Sequence, residues 1–221
     1  MISTNTKTRT TKALLTCGVI AGPLYLIVSL LQVFTREGFD FTRHSWSLLS
    51  NGDLGWIQIT NFFLAGILTI ACAIGMRRAL ISGRGHTWGP VLIALYGVGL
   101  IGASIFVADP MNGFPIGTPL GNPGSVSASG LMHLVSGSIG FLGLIAACFV
   151  FASRFKSLNE RRWARYSITT GVIFLLAFLG VASGAQQGGT ILVFVTLSFT
   201  LAVILGWAWI SIVSARLIKS L

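Results

Sequence analysis

Six long apolar runs, separated by short polar stretches, constrain this chain more than any other feature of its sequence. They lie at about 13–34, 57–76, 88–108, 131–152, 168–187 and 190–213. Each has the ~20 residues an α-helix needs to cross a hydrocarbon core ~30 Å thick. Of 221 residues, only 9% are charged and 53% are hydrophobic. A water-soluble domain carries roughly 25% charged residues, so a chain this poor in charge needs lipid as its solvent. The expected fold is all-α: a polytopic integral membrane protein built as one six-transmembrane-helix bundle over 13–213. Basic tails are expected at 1–12 and 214–221.

The orientation follows from the charges. The tails and the connections 77–87 and 153–167 hold 13 of the 15 lysines and arginines. The first opposite loop, 35–56, holds only Arg36 and Arg43, and the loop 109–130 holds none. Basic residues favour the cytoplasmic side, so both termini are expected in the cytoplasm, in a cell (plasma) membrane. The net charge of +10 therefore reads as topology, with membrane lipids as partners. No nucleic-acid-binding motif is present. The cysteines, Cys17, Cys72 and Cys148, fall inside spans and imply no disulfide framework.

Local signals refine this outline. Gly22-Pro23 predicts a kink in the first span. Trp46, Leu48 and Leu49 are expected in the lipid interface, Asp53 as the N-cap of the second span and Trp56 as an interfacial anchor. Gly97, Gly99 and Gly102 suit close helix approach.

The polar residues of the spans form a layer near the outer ends. Gln58 and Asn61 are three apart and share a helix side. Ser104, His133, Ser136, Ser138, Gln186 and Gln187 lie at similar depth. Polar groups at such depth need a partner or water. The main expectation is a polar pocket open to the extracytoplasmic side, with Arg43, Gln58, Asn61, Ser136, Gln186 and Gln187 binding a lipid headgroup or small amphiphile. Arg36 and Arg43 have the chemistry to hold a phosphate or carboxylate.

The alternative is a membrane-embedded hydrolase using His44, Asp109 and His133. Two imidazoles and a carboxylate form a sufficient set for a catalytic zinc with an open position. Without metal, His133 is the titrating group, oriented by Asp109 or Asp53. These residues come from three segments and form no recognised metal motif. A third reading is an accessory or structural membrane protein without catalysis. No deep intramembrane carboxylate is present for gradient-driven transport.

Several segments together resemble a known family. They are EGFDFTRHSWSLLSNGDLGWIQITNF from Glu37, the DP-NGFP-GTP run from Asp109 to Pro119, SGLMH ending at His133, and the GW-W of Gly206, Trp207 and Trp209. This ordered set resembles the bacterial and archaeal membrane-protein family named domain of unknown function 998. The resemblance covers nearly the whole chain beyond the N-terminal tail. Its pattern is matched at His44, Asp109, Gly113 and His133. It implies six spans and a membrane location, and it transfers no activity.

Overall fold

The computed structural model describes residues 2–184 and 188–221. Among the described residues the chain is helical, with no strand. The six helices are α1 (Ile2–Thr35), α2 (Gly55–Ala79), α3 (Trp88–Ile105), α4 (Ala128–Ser157), α5 (Arg161–Gly184) and α6 (Gly189–Lys219). All six are long and apolar enough to cross a membrane. A short 3-10 turn, Trp46–Ser50, sits in the first long loop.

The helices outrun their apolar runs, chiefly at the basic end. α1 extends back through the expected N-terminal tail. The expected loop 153–167 shrinks to 158–160, because its arginines, lysine and leucine are good helix formers. Arg154 and Lys156 occupy the last turn of α4, where a positive charge meets the exposed carbonyl end of the helix. At the other end, α3 stops at Ile105 rather than 108, and α4 starts at Ala128 rather than 131.

Each helix packs on its neighbours in the chain, and α6 closes back on α1, so the six form a ring in sequence order. Close packing rests on glycine where backbones meet. Gly66 and Gly97 face each other between α2 and α3, and Gly99 and Gly140 between α3 and α4. A methyl group at Gly99 would lie 2.6 Å from the Ser136 carbonyl oxygen and 2.7 Å from the Gly140 Cα. Without a hydrophobic drive between helices in lipid, such contacts supply the dispersion energy that holds them.

Aromatic rings fill the ring's interior. Trp207 of α6 is fully buried and reaches Tyr25 of α1 (centroids 5.0 Å apart) and Tyr96 of α3 (5.2 Å). Phe141 gathers Phe174, Phe178 and Phe199. The indole of Trp209 donates to Ser167 Oγ at 3.0 Å. The outer faces carry exposed Leu31, Ile67, Leu142, Leu176 and Phe194, as a lipid-facing surface requires.

Candidate functional site

The two long connections, 36–54 and 106–127, cover one end of the ring. In the first, Trp46, Leu48 and Leu49 are buried, and Trp46 packs on Tyr25 with centroids 6.1 Å apart. This corrects the interfacial placement expected of them. The 3-10 turn points them down into the bundle, where they roof it.

Arg36 braces this roof. Its guanidinium donates to the carbonyls of Leu49 (3.1 Å) and Asn51 (2.5 Å) and lies over the Phe114 ring. Burial lowers its pKa, and the charge of Asp53 opposes that. Arg43 pairs with Asp40 at 2.9 Å. Burial pushes the Asp40 carboxyl up, but bonds from Thr42 and Arg43 outweigh it, and the net shift is downward. Asp53 is exposed and does not cap α2, whose N-cap residue is Leu54.

His44 pins the two loops together. It is fully buried. The Asp40 backbone N–H donates to its Nδ1 at 2.9 Å. Its Nε2 is 2.9 Å from the Asn112 carbonyl oxygen. Nδ1 accepts a bond and Nε2 faces a pure acceptor, so the ring is held neutral with its proton on Nε2. Phe39 and Phe114 flank it at 5.2 and 5.4 Å. The second loop is ordered to receive it: Asn112 N–H donates to Gly121 O, and Gly113 N–H to Pro119 O.

Asp109 closes the second loop onto α4. Its carboxylate accepts from the Ser127 N–H (2.9 Å) and hydroxyl (2.5 Å), while Ser127 Oγ accepts from the Gly130 N–H. A Cβ at Gly130 would overlap that carboxylate. His133 Nδ1 donates to the Phe106 carbonyl at 2.7 Å, just past the end of α3. Asp109→Ala is expected to cost about 1 kcal/mol, because Ser127, the N-cap of α4, loses the carboxylate that holds it in place. Amide exchange at 128–131 should speed up first. Unchanged exchange there would contradict this role.

The expected zinc set is therefore not assembled. Both nitrogens of His44 are engaged, one within its own loop and one by the second loop, Asp109 serves the start of α4, and His133 serves the end of α3. Among the described residues, no group of three or more His, Cys, Asp and Glu is placed to hold a metal.

The polar layer is likewise not one pocket. Gln58 and Asn61 turn toward α1 and are 0% and 3% exposed. They form a buried cluster with Ser29 and Gln32. Gln32 Nε2 donates to Gln58 Oε1 at 2.8 Å, and Ser29 Oγ lies 3.3 Å from both Gln58 amide atoms. Asn61 Nδ2 reaches the Tyr25 carbonyl at 3.1 Å and Ser29 Oγ at 3.2 Å. Ser136 instead lines an apolar groove of about 230 Å³ between α3 and α4, with Gly99 and Gly102. Arg43 stays at the surface with Asp40, and Gln186 and Gln187 lie outside the described residues.

Three buried polar atoms lack a partner at or near this cluster: Gln32 Oε1, Asn61 Oδ1 and Trp207 Nε1. Turning the amides over would not help. Gln32 Nε2 already faces the Val28 carbonyl and Asn61 Nδ2 the Tyr25 carbonyl, which only accept. Ser29 and Gln32 were missed from sequence. Their three-residue spacing near the end of α1 mirrors Gln58 and Asn61, and was the available signal.

One family model, described as a protein of unknown function (DUF998), matches residues 19–216. No curated protein matches the chain, and no solved structure does.

Proposed function

The chain belongs to this family of proteins of unknown function, and from its own residues we propose that it is a membrane-embedded binding protein. Its ligand is a small amphiphile or lipid headgroup with N–H or O–H donors. The ligand sits at the amide cluster of Ser29, Gln32, Gln58 and Asn61, beneath the cap pinned by His44. In this reading the basic end faces the cytoplasm of a cell membrane, as the excess of lysine and arginine there favours. The capped end then faces outward.

The observation that carries the reading is the pair of unpartnered acceptors, Gln32 Oε1 and Asn61 Oδ1. Both side chains are 3% exposed. A buried acceptor without a donor costs about 1–3 kcal/mol. A ligand with two donors removes that penalty. Trp207 Nε1 offers the complementary donor.

Linkage supplies the test. A ligand that binds only the folded protein stabilises it, by about 2.7 kcal/mol at a hundredfold excess over Kd. Exhaustive detergent washing should therefore lower the Tm of the native sequence. A Gln32→Met, Asn61→Leu double variant should show the same Tm before and after washing. Equal losses in both proteins, or none in either, would contradict the site.

A further inference from the structure

At the opposite end of the ring, the α4–α5 turn and the end of α6 border a second feature, open to the surface. It is a cleft of about 410 Å³ lined by Asn159, Glu160, Arg161, Arg162, Trp163 and Arg216. Asn159 takes a left-handed conformation (φ +59°). The Glu160 N–H then folds back onto the Phe155 carbonyl at 2.9 Å. This left-handed cap ends α4 and turns the chain into α5.

Arg216 is held in place. It pairs with Glu160 Oε1, and its guanidinium lies 4.6 Å from the Trp163 centroid and 5.7 Å from that of Phe155. Arg161 and Arg162 are exposed at the cleft. Glu160 Oε2 is buried with no hydrogen-bond partner. Topology explains why arginines gather at this end. It does not explain the carboxylate oxygen lacking a donor.

Three guanidiniums suit a phosphate, since the planar N–H fork matches phosphate oxygens. The vacant carboxylate oxygen suits a hydroxyl or ammonium beside that phosphate. We infer that this cleft binds a phosphate group carrying a neighbouring O–H or N–H donor. That is the chemistry of a glycerol or ethanolamine phospholipid headgroup, and of the corresponding soluble phosphoesters. Trp163 is the aromatic such a site would use at the membrane–water boundary.

The test uses the purified full chain and three probes. Short-chain phosphatidylglycerol carries phosphate and hydroxyl donors. Short-chain phosphatidylcholine carries the same phosphodiester without a donor. Glycerol phosphate carries phosphate and hydroxyls without acyl chains. Phosphatidylglycerol is expected to bind at least tenfold more tightly than phosphatidylcholine. An Arg161→Ala, Arg162→Ala double variant, altered only at exposed positions, should lose at least tenfold for phosphatidylglycerol. Comparable binding of glycerol phosphate assigns the site to a soluble phosphoester, and its failure beside tight phosphatidylglycerol binding assigns it to lipid. Equal affinity for the two lipids, or native affinity in the double variant, overturns the proposal. The amide cluster lies on other helices, so the arginine variant leaves it intact and the two sites fail independently.

Discussion

Replacing Gly99 with leucine is expected to cost about 3 kcal/mol of stability, at the upper end of what overpacking does. Even a Cβ there would press on backbone: the Ser136 carbonyl oxygen at 2.6 Å and the Gly140 Cα and N at 2.7 and 2.9 Å. Flexible side chains can swing away from an added methyl, but two helix backbones cannot. α3 and α4 would have to separate, losing dispersion contacts along their whole seam. Gly124→Ala is the matched control, because nothing lies within 4 Å of a Cβ at that position. It should change stability by less than about 0.5 kcal/mol. Detergent unfolding of the two variants beside the native sequence measures the difference. A Gly99→Leu protein as stable as Gly124→Ala would refute backbone contact between these helices.

The second large effect belongs to His44. His44→Ala removes one buried and one part-buried hydrogen bond and leaves the Asn112 carbonyl and the Asp40 N–H without partners. Each stranded group costs about 1–3 kcal/mol, with the part-buried Asp40 N–H at the low end. The expected loss is about 3 kcal/mol, concentrated in the cap. Protease cleavage within 36–54 and 106–127 should accelerate together, because one side chain joins both loops. Acid should act in the same direction. Burial lowers the His44 pKa below its ordinary 6.5, helped by Arg43 and opposed by the Asn112 hydrogen bond and Asp40. A depressed folded-state pKa means that the unfolded imidazole takes up a proton first. The stability from His44 is therefore complete above about pH 6.5 and declines as pH falls toward the folded-state value. The slope there is at most about 1.4 kcal/mol per pH unit. Loop cleavage that is pH-independent between 7.5 and 5.5, or that quickens in one loop only, would contradict the latch.

Sequence was most legible where the bilayer dictates the answer. Apolar runs of about twenty residues locate the spans because an unsatisfied backbone in lipid leaves little alternative to helix. The glycines of α3 read correctly as approach points. Span ends were less legible, since nothing in hydropathy says where a helix stops once it reaches water. Arg161 and Arg162 could as well have been loop as the first turn of α5. The cap was hardest. Trp46, Leu48 and Leu49 carry the composition of an interfacial segment, and only the fold shows them turned inward onto Tyr25. The buried amide cluster was half legible. Gln58 and Asn61 were found by their spacing and depth, but their partners on α1 required knowing which helices are neighbours. His44, Asp109 and His133 have zinc-ligand chemistry, yet each is engaged by nearby backbone or a capping serine, contacts that one sequence does not encode visibly.

The proposed binding site rests on two buried acceptors without donors, Gln32 Oε1 and Asn61 Oδ1. Native mass spectrometry of the chain extracted gently from its membrane tests them most directly. A bound species carrying N–H or O–H donors is expected, at least tenfold depleted in the Gln32→Met, Asn61→Leu variant. A native sequence that flies only as the bare chain, or a species retained equally by the variant, would contradict the site.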